Sequence, residues 1–445
     1  MRNRQIKRVG LAYILFISMM LMLCLDAGRF KQVVAVGPHY EALAEAGLET
    51  NEVLIRFNED ATTEGMNQFM AEYGLTAVRN IPRLDVWVVV GTQPAMQQLM
   101  TSTADDMADT VMWVEPNYPV YATAVTPDDS FYLSQQENLR LIGLPDAWGY
   151  TTGITTPVAI IDTGADLNHP DLASKIWTNL GELAGNGIDD DGNGYIDDVQ
   201  GWNFVAQNGN AQDDHSHGSH VSGIVAAHTN NHLGIAGISW HSTIMPLKAL
   251  NNRGAGTVVD VAEAIRYAAD NGIRIINLSL GTKNPSIILE EAVSYAFERG
   301  CLVVASTGNE GGDVLYPAAY PQVTAVAATT SSDLPWTFGN RGPEVDIAAP
   351  GVNIFSANRQ GSYYLSSGTS MAAAHISGVA ALVWALRPEL TADEVRNVLT
   401  TTARDIWSPG QDNLTGWGRV DAAAAVAVAG RSYVYLPYIV YSSTE

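Results

Sequence analysis

From Pro157 onward, short unbroken apolar runs alternate with longer stretches of helical periodicity, and this alternation narrows the possible folds more than any other feature. The runs fall at residues 158–161, 244–247, 273–280, 302–305 and 323–327. Helical segments fall at 217–227, 258–269, 287–299 and 370–386. A strand with one wet face alternates apolar and polar residues, whereas a strand apolar at every position must be covered on both faces. The predicted class is α/β, a doubly wound, mostly parallel sheet with helices on both faces. In such sheets ligand sites form beyond the carboxyl ends of the strands.

The segment before this pattern is of two kinds. Arg2, Arg4, Lys7 and Arg8 precede an apolar stretch at 9–25, and the chain turns polar at Asp26. That is the build of a secretory signal over residues 1–27. The stretch is also near the length that spans a bilayer, so a retained anchor is the alternative. Removal is favoured because no second apolar span follows, and export is expected either way. Leu23, a bulky residue before Cys24, argues against a lipoprotein.

Residues 28–123 form a leader whose folded part is expected at about 52–118. Strand-like patterns at 53–57, 84–90 and 111–114 and helical ones at 64–73 and 96–100 approach a βαββαβ order, an open antiparallel sheet with helices on one face. The main domain is expected over 124–430, closing with helical pieces at 391–401 and 420–428. A strand-like tail at 431–445 has no legible role.

The 47 acidic and 24 basic residues leave a net charge of −23, which repels nucleic-acid phosphates and anionic lipid. Membrane association is expected only through a retained N-terminal segment. Cys24 and Cys301 cannot build a disulfide framework, so stability must come from packing and from metal ions. One loop is suited to a metal. Asp189, Asp191 and Asn193 alternate ahead of Gly194, with the Tyr195 carbonyl and Asp197 following, as at the start of an EF-hand. The twelfth position is Gln200 rather than Glu, so the full EF-hand is absent. Hard oxygen donors at alternate positions select calcium, and without a cation the clustered carboxylates would repel one another.

Three further segments place polar groups where a core element meets a Gly-rich turn. Asp162-Thr163-Gly164 ends an apolar run, His217-Gly218-Ser219-His220 opens a helical one, and Gly368-Thr369-Ser370-Met371-Ala372 starts the longest apolar helix. Singly, Asp162 reads as a turn former, His217 as a capping or core histidine and Ser370 as an N-cap. A zinc cluster could be drawn from His215, His217 and His220 with Asp213 and Asp214. It would leave Asp162 and Ser370 unexplained. Asp, His and Ser in this chain order instead make the chain resemble the subtilisin-like serine proteases over about residues 129–430.

The resemblance implies a serine endopeptidase in which Ser370 is the nucleophile, His217 the general base and acid, and Asp162 the group that orients and stabilises the imidazole. It makes Asn309, in Ser306-Thr307-Gly308-Asn309-Glu310, the side-chain donor to the oxyanion beside the Ser370 N–H. It makes Gly254, Ala255, Gly256 and Ser279, Leu280, Gly281 the segments that pair with an extended peptide, and puts Leu315 at the floor of the P1 pocket. From the thermitase-like branch it implies a second calcium site at Asp129, Asp171 and Asn231, with carbonyls near His228, Leu233 and Ile235. The leader resembles the family's inhibitory propeptide, an intramolecular partner with Val114-Glu115-Pro116-Asn117-Tyr118 as its closing strand and self-cleavage near Ala122–Ala124. One departure stands out, since Ala374 occupies a place where the family usually has Pro. An inactive peptide-binding member is the rival reading, and a sedolisin type would need Glu in place of His217.

Overall fold

The computed structural model describes residues 52–117, apart from 93–94, 96–97 and 100–109, and residues 124–430. The expectations for the N-terminal targeting segment and the C-terminal tail lie outside those residues, as does most of the helical stretch at 96–100. The chain divides into two compact units between Val120 and Tyr121.

In the first unit, β1 (Glu52–Phe57), β2 (Leu75–Ile81), β3 (Val86–Gly91) and β4 (Val111–Pro116) form an antiparallel sheet in the order β2-β3-β1-β4. Strand β1 turns Val53, Ile55 and Phe57 inward, where helix α1 (Thr63–Glu72) adds Phe69 and Met70. The Thr62 hydroxyl caps α1 by accepting the Gly65 N–H at 3.1 Å. Strand β2 is absent from the sequence reading. Only Leu75 in it is buried, so it shows no apolar alternation, and pairing with β3 holds it in place.

The second unit is built on a seven-stranded sheet, ordered β11-β10-β9-β8-β5-β7-β6. Its strands are β5 (Pro157–Asp162), β6 (Trp202–Asn203), β7 (Thr243–Lys248), β8 (Ile275–Leu278), β9 (Leu302–Ser306), β10 (Val323–Thr329) and β11 (Ile347–Pro350), and every pairing is parallel. Successive residues of each strand enter opposite cores. Val158 and Ile160 face one side with α5 (His217–Ala226) and α8 (Thr369–Leu386). Ala159 and Ile161 face the other with α6 (Val258–Asp270) and α7 (Ile287–Glu298). That two-sided burial is why the strands read as unbroken apolar runs.

Short helices α2 (Tyr132–Gln135), α3 (Glu137–Leu141) and α4 (Leu144–Tyr150) precede the sheet, a hairpin of β12 (Ile354–Asn358) and β13 (Ser362–Ser366) leads into α8, and α9 (Ala392–Thr401) and α10 (Ala422–Ala429) follow it. Every residue of α8 from Thr369 to Trp384 is buried, which explains an apolarity that by length and composition alone would suit a membrane span. This helix runs unbroken through Ala374, so its first turns form without a proline. Strand order reverses around β5, with β7 on one side and β8 on the other, and this opens a crevice at their carboxyl ends.

Candidate active site

Strand β5 delivers Asp162, which is fully buried, to that crevice. Its Oδ1 accepts the Thr163 N–H at 2.7 Å, and its two oxygens lie 2.8 and 2.9 Å from His217 Nδ1. A carboxylate can only accept, so the ring proton belongs on Nδ1, leaving Nε2 as the free acceptor. Burial opposes the imidazolium, but the Asp162 carboxylate outweighs it and Asp213 adds to the effect, so His217 titrates above the ordinary histidine range.

The start of α5 is held on β5 by Asp213, whose carboxylate accepts the N–H groups of His215, Ser216 and Ser219 at 2.8–2.9 Å. Thr163 Oγ1 donates to Asp213 at 2.9 Å and accepts the Gly218 N–H at 2.9 Å, which ties the residue after Asp162 to the residue after His217. Gly218 is required there, because a Cβ would lie 2.0 Å from the Gly164 carbonyl oxygen. Lys248, also buried, donates to the Thr163 and Leu250 carbonyls at 2.8 and 2.9 Å and to Asp214 at 2.6 Å. Thr163, Asp213 and Lys248 were not singled out as structural anchors from sequence. The acid ahead of a helix was visible, but its several simultaneous partners come together only in the fold.

Ser370 is the second residue of α8, where the helix N–H groups are unpaired and its dipole is positive. Its hydroxyl donates to the Ser279 carbonyl at 3.2 Å, and the Ser279 hydroxyl donates back to the Ser370 carbonyl at 3.0 Å. Ser370 makes no hydrogen bond to His217 among the described residues; such bonds commonly tighten only when substrate binds. Asn309 follows β9. Its Oδ1 accepts both the N–H and the hydroxyl of Thr369, at 2.9 and 2.8 Å.

His217, Ser370 and Asn309 line one cleft of about 600 Å³ together with Gly254, Ala255, Gly256, Ser279, Leu280 and Gly281. Asp162 stands behind His217, and Leu315 stands behind the wall. A Cβ on Gly281 or on Gly308 would come within 2.8 Å of the Leu315 side chain, so this leucine fills the space between the two segments. The arrangement offers a hydroxyl, a neighbouring base held in one tautomer, and amide donors for a developing oxyanion.

Of the acidic loop residues, Asp189 and Asp191 bring carboxylate oxygens within 4.8 Å of one another and of Glu182, which the sequence reading did not include. Glu182 is buried and accepts the N–H groups of Asp190, Asp191 and Asp197 at 2.8–3.2 Å. An all-oxygen donor set fits a hard cation. Asn193 donates to Asp191 and Asp198, Tyr195 packs its ring on Trp202 and Tyr267, and Asp197 accepts from the N–H groups of Gly185, Asn186 and Gly187.

At the second expected site, Asp171 accepts from Asn231 at 3.0 Å, Ile235 N–H at 2.9 Å and Tyr363 at 2.8 Å, while Asp129 accepts the Asn230 N–H at 2.9 Å. Burial raises the Asp129 pKa, and the like charge of Asp171 adds to the rise. The zinc alternative has no geometry to support it: His217 Nδ1 is on Asp162, and His220 Nε2 is on the Ile354 carbonyl.

Comparison with known proteins agrees with this geometry. The model of the Subtilase family, Peptidase S8, matches residues 153–418, and the chain belongs to that family. It is 35% identical over 381 residues to the thermophilic serine proteinase of Bacillus sp. strain AK1, covering 84% of this chain and 87% of the relative. It is 39% identical over 304 residues to thermitase of Thermoactinomyces vulgaris, covering 68% of this chain and 99% of thermitase. A solved protease from Pseudoalteromonas arctica superposes with a TM-score of 0.59 at 29% identity, covering 68% of this chain and all of that one. The chain is a thermitase-like subtilase and a serine endopeptidase.

Proposed function

We propose that the protein is a secreted endopeptidase, made as a self-processing preproenzyme and stabilised by calcium, in which Asp162, His217, Ser370 and Asn309 carry the chemistry. The observation that carries the reading is the bidentate Asp162 contact to His217 Nδ1, in the same cleft as Ser370. Ser370 Oγ attacks the peptide carbonyl as His217 Nε2 takes its proton. Asp162 holds the ring and stabilises the imidazolium, and Asn309 Nδ2 and the Ser370 N–H receive the oxyanion. Proton return to the leaving amine gives the acyl-enzyme, and water then repeats the sequence. The peptide lies extended along Gly254–Gly256 and Ser279–Gly281, whose backbone groups give affinity with little demand on sequence.

Calcium would be held by Glu182, Asp189 and Asp191, and at a second place by Asp129, Asp171 and Asn231; it supplies positive charge among these carboxylates and no catalytic step. Secretion is supported by the basic and apolar N-terminus and by a relative named as an extracellular serine protease, Nep of Natrialba magadii, 38% identical over 320 residues that make up 72% of this chain and 56% of that relative. The four-stranded first unit supports the propeptide reading. Fluorophosphonate labelling of the purified protein and of Ser370→Ala tests the nucleophile. In the same preparations, Ser370→Ala free of other proteases should persist as the precursor. Cleavage of that variant near 122–124 would show that maturation is not self-catalysed.

A further inference from the structure

The chain carries a net charge of −23, yet among the described residues no aspartate or glutamate lines the cleft, where the basic residues are His215, His217 and Arg253. The position of Arg253 is built. Asn251 accepts the Arg253 N–H on its side chain at 2.9 Å, and its N–H bonds the Ala255 carbonyl at 2.8 Å, so a tight turn projects Arg253 at its tip and returns as Gly254–Gly256. The Arg253 guanidinium has no ion pair or hydrogen bond among the described residues, and neither has the His215 ring. That ring stands against the same segment, since a Cβ on Gly254 would lie 3.3 Å from His215 Nε2, and its centroid is 6.4 Å from that of His217.

The nearby acids are engaged elsewhere. Asp162 faces His217, Asp214 is paired with Lys248, Glu310 with Lys283, and Asp260 is folded into the capping box of α6. An unpaired cation in a concave site acts on whatever enters through a less screened field than it would on open surface.

We infer that the subsite walled by His215 and Arg253 takes an acidic side chain, so that the preferred substrates are peptides bearing Asp or Glu on the side of the scissile bond that runs along Gly254–Gly256. The spacing of the two imidazole rings corresponds to about two residues of extended chain at roughly 3.3 Å each, which puts the acidic residue about two to four positions from the bond cut. This deepens the peptidase reading and rests on it.

The test is a position-scanning peptide set, Glu against Gln at each of four positions either side of the cut, with kcat/KM measured on the purified enzyme. One position is expected to favour Glu by about three- to tenfold, the range for one or two partly exposed charge pairs, and to lose that preference as ionic strength rises. Arg253→Gln should reduce the ratio and Arg253→Glu should invert it. No position above twofold, or a ratio that survives the double variant Arg253→Gln, His215→Gln, overturns the inference.

Fluorescence anisotropy of labelled Glu and Gln peptides on Ser370→Ala, freed of its leader by a trace of the parent enzyme that is then removed, reads the same preference without turnover. Hydrolysis without Glu preference sinks this inference alone. Tighter Glu binding in a protein that never hydrolyses supports it while sinking the peptidase reading. Equal binding of the two peptides overturns it.

Discussion

Thr369 holds Asn309 from two directions, its N–H 2.9 Å and its hydroxyl 2.8 Å from the same oxygen, Asn309 Oδ1. With Oδ1 committed as an acceptor, the amide cannot flip without losing both bonds, and Nδ2 is the end left for a developing oxyanion. Asn309→Ala should therefore lower kcat by about 10²- to 10³-fold, the magnitude known from subtilisin itself, with little change in KM. Thr369→Val removes one of the two anchors and is expected to cost about tenfold, again in kcat. A raised KM with kcat unchanged for either variant would mean that Asn309 binds ground-state substrate instead.

Proton transfer to His217 requires the neutral ring, so kcat/KM should rise with pH through the folded-state pKa of this residue. Because Asp162 holds that value up, the midpoint of the acid limb is expected above about 6.5. The same rise means that the pair stabilises the fold below the unfolded value of about 6.5 and loses this contribution as pH climbs past the folded one. Asp162→Asn removes the main charge that opposes burial and leaves only the smaller pull of Asp213 against it. Its residual activity should titrate below about 6.5 while kcat falls by about 10⁴. Full pH profiles of the two proteins check both signs.

The parallel sheet and the convergence of three motifs were legible because each rests on local pattern. An unbroken apolar strand declares two-sided burial by composition alone, and Asp162, His217 and Ser370 each sit at a Gly-marked end of an element. What stayed illegible depends on distant partners. Strand β2 exposes all but Leu75 and Ile81 and owes its place to β3. Asp213 and Lys248 look like ordinary polar residues until strands β5 and β7 place Thr163 between them. Glu182, seven residues before Asp189, follows no loop motif and joins the acidic cluster only through the folding of 182–191.

Glu182 also gives the cleanest test of calcium. Its Oε1 accepts the Asp190 and Asp191 N–H groups, which an amide oxygen can also do, so Glu182→Gln keeps those two hydrogen bonds, removes one charge and gives up only the Asp197 N–H contact to Oε2. An ion bound only by the folded state stabilises by mass action, about 2.7 kcal/mol at a hundredfold excess over Kd. Chelation should lower Tm by several degrees in the parent and by clearly less in Glu182→Gln. Asp189→Ala and Asp191→Ala should blunt the response in the same way. A Tm indifferent to chelator and to added calcium in the parent would remove calcium from the account.

Leu315 sets an expectation for specificity because of what it replaces with bulk. It reaches the backs of Gly281, on the cleft wall, and Gly308, just before Asn309, and fills the gap between these segments. A P1 side chain entering between them meets this leucine sooner than it would a smaller residue, so small and medium apolar P1 groups should outrun Phe and Tyr. Leu315→Gly should reverse that order, each group of that size being worth about 1–3 kcal/mol of discrimination. The substitution also leaves a void and a freer backbone, costs that lower stability and overall rate. The ratio of kcat/KM for Phe and Ala substrates, rather than either value, is therefore the quantity to follow, with Leu315→Val as an intermediate step. A parent enzyme that already prefers Phe or Tyr would place the P1 side chain away from Leu315.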